Sequence, residues 1–114
     1  MTLSRGEVWL VNLEPTLGDE IRKTRPAVIV SRDAVGVLAL RVVVPLTSWQ
    51  QRFQDSDWLI RLDPDSANGL EKPSASDTFQ VRSISSQRFV RCLGRLSEGD
   101  MERIAGGLKA VLDL

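Results

Sequence analysis

The strongest constraint in this chain is a change of period. Most of its length runs as short β-prone stretches closed by turn residues, and the end switches to a single helical repeat. Residues 7–13 are rich in Val, Leu and Trp and stop at Glu14-Pro15, and residues 27–31 follow a proline, which is tolerated at a strand start. Residues 37–44 are β-branched and end at Pro45. Residues 58–62 stop at Asp63-Pro64, ahead of the turn residues Asp65, Ser66, Asn68 and Gly69. Residues 78–81 form one more short strand, and residues 90–96 alternate Arg91 and Arg95 against Val90, Cys92 and Leu96. Residues 83–89, just before it, read as one helical turn. Short strands at this spacing predict a small barrel or sandwich.

The final segment obeys a different rule. Ser97, followed three residues later by Asp100, resembles a capping box with Asp in place of Glu. Met101, Ile104, Leu108, Val111 and Leu112 then recur at helical spacing, which predicts an amphipathic helix over 98–112 lying on the barrel or on a partner. Gly106-Gly107 inside it costs about 1 kcal/mol per glycine relative to Ala. Close packing against another backbone accounts for the pair, and so does simple tolerance. With 114 residues and no repeat or linker, the chain reads as a single domain over 1–114. A chain of this size buries about two-thirds of its unfolded surface, enough for a core without staples.

Two absences restrict the chemistry. The chain has no histidine and no tyrosine, which excludes a Ser–His–Asp triad, a histidine acid–base pair and any zinc site that uses histidine. Cys92 is the sole cysteine, so no internal disulfide or thiolate metal cage can form, and it reads as a small half-buried hydrophobe in its strand. No metal ligand set and no cofactor motif is expected. The apolar run over 34–40 is too short to span a membrane, and the opening MTLSRGEVW has no signal-peptide core, so a cytoplasmic protein without membrane contact is expected.

Fifteen basic and fifteen acidic side chains cancel, so bulk charge does not capture a polyanion, but local patches remain. Six acids fall between Asp55 and Asp77. Four arginines and no acid fall between Thr78 and Ser97, as on a solvated face. Arg22, Lys23 and Arg25 crowd into four residues of a loop that stops at a rigid proline. Twelve of the fifteen basic residues are arginine, which suits bidentate phosphate contact but also follows from a GC-rich genome.

The string Arg5-Gly6-Glu7-Val8-Trp9, then Leu13-Glu14-Pro15, Gly18-Asp19-Glu20 and Thr24-Arg25-Pro26-Ala27-Val28-Ile29-Val30-Ser31, resembles the MazF/PemK family of toxin endoribonucleases. Val43-Val44-Pro45-Leu46-Thr47-Ser48, Phe79-Gln80-Val81-Arg82-Ser83-Ile84 and Leu93-Gly94-Arg95-Leu96 extend the likeness, in order, over essentially the whole chain. The resemblance implies a mainly β fold with a C-terminal helix, an SH3-like barrel of the MazF/PemK/CcdB type. It also implies a homodimer, metal-independent and sequence-specific cleavage of single-stranded mRNA, and an antitoxin that blocks the RNA groove and supplies any contact with DNA. In the family the arginine before the loop-closing proline and the threonine of the P-x-T-S motif carry catalysis, which here are Arg25 and Thr47.

Three positions depart from some members. Arg22-Lys23 stands where Gly-Gly is common, which removes flexibility and adds charge. Asp19 replaces a histidine, and Phe79 replaces an aspartate before Gln80. A mechanism assisted by Asp or His is therefore not supported, whereas the Arg–Thr version is intact.

The residue types suit this chemistry. RNA supplies its own nucleophile, the 2′-OH; attack on the adjacent phosphorus gives a 2′,3′-cyclic phosphate and a 5′-OH end. Arg25 presents a fork of donors to the phosphorane oxygens, and Thr47 donates one hydrogen bond and accepts another. Around them Asp19, Glu20, Arg22, Lys23, Thr24, Ser48, Trp49, Gln80 and Arg82 are candidate RNA-binding residues. Asp19 and Glu20 either cap the loop or read base edges; Gln80 and Arg82 either orient loops or contact bases. Trp9, Trp49 and Trp58 are candidates to stack bases: Trp49, in a polar loop, is the better one, while Trp9, inside a strand, reads as core. Two other readings stand: a gyrase-directed toxin of the same fold, which resembles this chain less because no Trp lies near its C-terminus, and a non-catalytic SH3-like nucleic-acid-binding module.

Overall fold

The computed structural model describes residues 2–35 and 37–114. Met1 of the opening stretch and Gly36 of the 34–40 run lie outside the described residues. Among the described residues, seven strands, β1 (Glu7–Asn12), β2 (Thr24–Ile29), β3 (Leu40–Ser48), β4 (Leu59–Leu62), β5 (Ser74–Asp77), β6 (Arg82–Ser85) and β7 (Phe89–Arg95), precede one α-helix, α1 (Glu98–Leu112). All pairings are antiparallel. The strand order is β4-β5-β3-β2-β1-β7, with β6 also on β3.

Period-2 alternation gives the central strands two buried faces. Trp9, Val11, Ala27, Ile29 and Val43 enter one core with Ile84 and Phe89; Val8, Val28 and Val44 enter the other with Leu62, Leu96, Met101 and Ile104. The helix closes the second core. Its start follows the expected capping chemistry, with Ser97 Oγ accepting from the Asp100 N–H at 3.1 Å. Its glycines divide: a Cβ at Gly107 would stand 3.0 Å from the Thr78 side chain, whereas one at Gly106 would meet nothing within 4 Å. Leu112, expected on the apolar face, is exposed.

Several local expectations are corrected. The strand expected over 37–44 runs instead to Ser48, and Pro45 lies inside it, opposite Ala27, where β3 hands over from β2 to β5. β2 begins at Thr24, so Pro26 also lies within a strand. The strand expected over 78–81 is a one-turn 3-10 helix, Thr78–Gln80, because the Asp77 carboxylate accepts from the Phe79 N–H at 3.2 Å and starts a turn. The helical turn expected over 83–89 splits into β6 and a shorter turn, Ser86–Arg88. Ser74–Asp77 forms a strand built on small buried residues that carry little β-propensity. Cys92 is exposed rather than half-buried, since β7 is an edge strand whose middle faces solvent.

Candidate functional site

Arg25 lies on β2 and pairs with Val11 of β1. Thr47 lies near the end of β3 and pairs with Ala75 of β5. The β2–β3 register sets Ala27 opposite Pro45. The β2–β3 pairing ends at Ala27–Pro45, where β3 passes to β5, and Arg25 and Thr47 each lie two residues beyond that pair on their own strands. Each is half-buried. Arg25 Nε donates to the Arg22 carbonyl at 3.3 Å, which leaves its terminal nitrogens without a partner among the described residues. Thr47 Oγ1 is likewise uncommitted there.

The loop that carries the basic cluster is held by side chains distant in sequence. Its Ile21 N–H donates to Gln80 Oε1 at 2.6 Å, while Gln80 Nε2 donates to Asp77 Oδ2 at 3.1 Å and to the Asp19 carbonyl at 3.4 Å. Arg82 reaches the Leu13 carbonyl at 3.5 Å, and Arg88 donates to the carbonyls of Asn12 and Glu14. Glu20 Oε1 accepts from the Leu17 N–H at 2.6 Å, so this carboxylate caps its own turn, while the Asp19 carboxylate has no partner among the described residues. Gln80 thus ties the loop to the Thr78–Gln80 turn, and Arg82 ties the end of β1 to β6. Lys23 takes a left-handed conformation, φ +68°, which glycine adopts without strain.

Arg22 and Lys23 are exposed, and among the described residues neither they nor Arg25 forms an ion pair. Thr24 is exposed at the start of β2, opposite Asn12, and Ser48 ends β3 opposite Ser74. Trp49 packs edge-on against Phe53 at 5.8 Å, with the Arg61 guanidinium 5.3 Å from its ring centroid. Trp9 is core, edge-on to Phe89.

A cavity of about 710 Å³ opens between the loop and the Thr78–Gln80 turn, and neither Arg25 nor Thr47 lines it. Asp19, Glu20, Gln80 and Arg82 line it, as do Trp58, Asp77 and Phe79. Pro45 also lines it, and Thr47 is the next residue on that face of β3. Burial raises the Asp77 carboxyl above its ordinary value, against hydrogen bonds from Gln80 and the Phe79 N–H that pull it down. The sequence reading did not place Asp77 in the site. The signal available was an acid three residues before Gln80, one turn away once the segment folds as a turn. Among the described residues, no three His, Cys, Asp or Glu side chains gather as a metal site.

The fold is that of the MazF toxins. A crystal structure of MazF from Deinococcus radiodurans superposes with a TM-score of 0.81 at 22% identity, covering 100% of this chain and 99% of that one. An endoribonuclease in complex with its cognate antitoxin, from a mycobacterial species, gives 0.76 at 21% identity, over 97% and 95% of the two chains. By sequence, the chain is 34% identical to the endoribonuclease MazF9 of Mycobacterium tuberculosis (strain ATCC 25618 / H37Rv) over 98% of both chains. It is 35% identical to the endoribonuclease PemK of Escherichia coli, over 96% of this chain and 82% of the other. The family model for the PemK-like, MazF-like toxin of type II toxin–antitoxin systems matches residues 4–112, and the chain belongs to that family.

Proposed function

We propose that this protein is a sequence-specific endoribonuclease toxin that cleaves single-stranded mRNA without a metal ion and is neutralised by a cognate antitoxin. The observation that carries the reading is that Arg25 and Thr47 each lie two residues beyond the Ala27–Pro45 pair of the adjoining strands β2 and β3, with the Arg25 terminal nitrogens and the Thr47 hydroxyl uncommitted among the described residues. The relatives named as endoribonucleases support it.

The substrate's 2′-oxygen attacks the adjacent phosphorus. A P–O2′ bond forms, the P–O5′ bond breaks, and the proton count balances between the 2′-oxygen that loses one and the 5′-oxygen that gains one. Arg25, always protonated, stabilises the charge that develops on the phosphorane oxygens. Thr47 donates to one of the same oxygens and holds the phosphate for in-line attack. Arg22 and Lys23 grip the flanking backbone. The products are a 2′,3′-cyclic phosphate and a 5′-OH.

The protein works as a homodimer in the cytoplasm. Its antitoxin presents an extended acidic segment, disordered when free, across Arg22, Lys23 and Arg25, and any DNA contact runs through the antitoxin. The neighbour solved with its antitoxin supports this partner class. The test is incubation of the purified protein with long single-stranded RNA in EDTA, followed by end-group analysis. Cyclic phosphate and 5′-OH ends are expected; dependence on Mg²⁺ or 5′-phosphate ends would sink the proposal.

A further inference from the structure

Two aromatic rings in the cavity wall have no role in the chemistry above. Phe79 is 65% exposed and Trp58 39% exposed, and their rings meet edge to face with centroids 6.0 Å apart. Both rings stand at the surface, and the backbone between them is tied down. The Trp58 carbonyl accepts from both the N–H and the Oγ1 of Thr78, at 3.1 and 2.7 Å, so the residue before Phe79 is clamped to Trp58. Thr78 is fully buried, and Gly107 of α1 lets the helix seat directly against it. The helix, the clamp and the ring pair form one preorganised unit.

The polar lining tells what belongs against the rings. Asp19, Glu20 and Asp77 bring carboxylates to the same cavity, and Asp19 is the uncommitted one. Arg82 lines the cavity too, but three carboxylates against one guanidinium disfavour a phosphate there. Phosphates are attracted to Arg22 and Lys23, which lie in the same loop and outside the cavity lining. A ligand with a flat apolar body, amine donors on its edge and phosphate behind it satisfies all three features.

We infer that Phe79 and Trp58 form a base-recognition pocket that takes one unpaired nucleobase of the RNA and favours bases with an exocyclic amine, read by Asp19, over uracil. This deepens the endoribonuclease reading and rests on it for the identity of the ligand. Phe79 provides the stacking face, Trp58 fixes its angle, and Asp19 accepts from the amine.

The test measures binding on strands that cannot be cleaved, so it does not depend on catalysis. Ten-residue 2′-O-methyl strands of A, of C, of U and with abasic sites are titrated against the full chain by fluorescence anisotropy. The A and C strands should bind about tenfold more tightly than U. Phe79→Ala should weaken the A and C strands by about tenfold while leaving the abasic strand unchanged, and Phe79→Trp should restore binding. Asp19→Asn should remove the preference over U. Equal losses on abasic and base-bearing strands, unchanged binding in Phe79→Ala, or conversion of a dimer to a monomer by Phe79→Ala would overturn the inference; the last would assign the rings to an interface between copies. If the predicted binding pattern appears but unmodified RNA stays uncut, the endoribonuclease reading fails and the pocket stands.

Discussion

The Ile21 N–H donates to Gln80 Oε1 at 2.6 Å across 59 residues of sequence. This bond joins the basic loop to the Thr78–Gln80 turn and sets the width of the cavity between them. Gln80→Leu removes the acceptor and leaves a part-buried donor unpaired, which costs about 1–3 kcal/mol. Hydrogen exchange at the Ile21 amide should accelerate by tenfold or more. Unchanged protection would mean that the loop is held by Arg82 and Arg88 instead.

Lys23 holds a left-handed backbone that costs a non-glycine residue about 1–2 kcal/mol. Lys23→Gly relieves that strain but adds freedom to the unfolded chain, so urea unfolding should show a net gain of about 0.5 kcal/mol. If Lys23 grips the RNA backbone as proposed, the same change removes one phosphate contact. The slope of log K against log salt for single-stranded RNA should fall by about 0.7. A stable variant with an unchanged salt slope would remove Lys23 from the RNA path.

Asp77 has a folded-state pKa raised by burial. A raised carboxyl pKa favours the folded state when the group is protonated. That stabilising contribution is complete below the unfolded value and is lost as pH rises through the folded one. Asp77→Asn never ionises, so its stability minus that of the unaltered protein should increase from pH 3 to pH 7 in urea unfolding. A difference that shrinks with pH would show that the Gln80 and Phe79 hydrogen bonds win over burial.

The two helix glycines should respond oppositely. Gly106→Ala adds a methyl to open space and should raise stability by about 1 kcal/mol. Gly107→Ala pushes on Thr78, which is fixed by its bond to the Trp58 carbonyl, and should lose that gain or reverse it. Equal gains in thermal unfolding would show that the helix seats loosely on the Thr78–Gln80 turn.

The helix was legible to the residue because capping and 3.6-residue spacing are local signals, as Ser97 and Ile104 show. The strands around the site were less so. Pro45 reads as a stop in any local window, and only the handover from β2 to β5 lets β3 continue and carry Thr47 into a strand. The turn at Thr78–Gln80 hid behind a β-prone Phe79 and Val81, because one Asp77 hydrogen bond outweighs their propensity. Arg25 and Thr47 came from family resemblance. Which strands carry them side by side is a matter of the Ala27–Pro45 register, which no single segment encodes.

The most direct test of the proposed chemistry is single-turnover cleavage of one RNA by Arg25→Ala, Thr47→Ala and the double variant, each checked for native folding. Each single change should slow cleavage by about 10² or more, and Arg25→Lys should also be poor because an ammonium cannot replace the fork. The double variant should be far less impaired than the product of the two, since both groups hold the same phosphate. Near-normal cleavage by a folded Arg25→Ala protein would contradict the assignment and move the active site elsewhere.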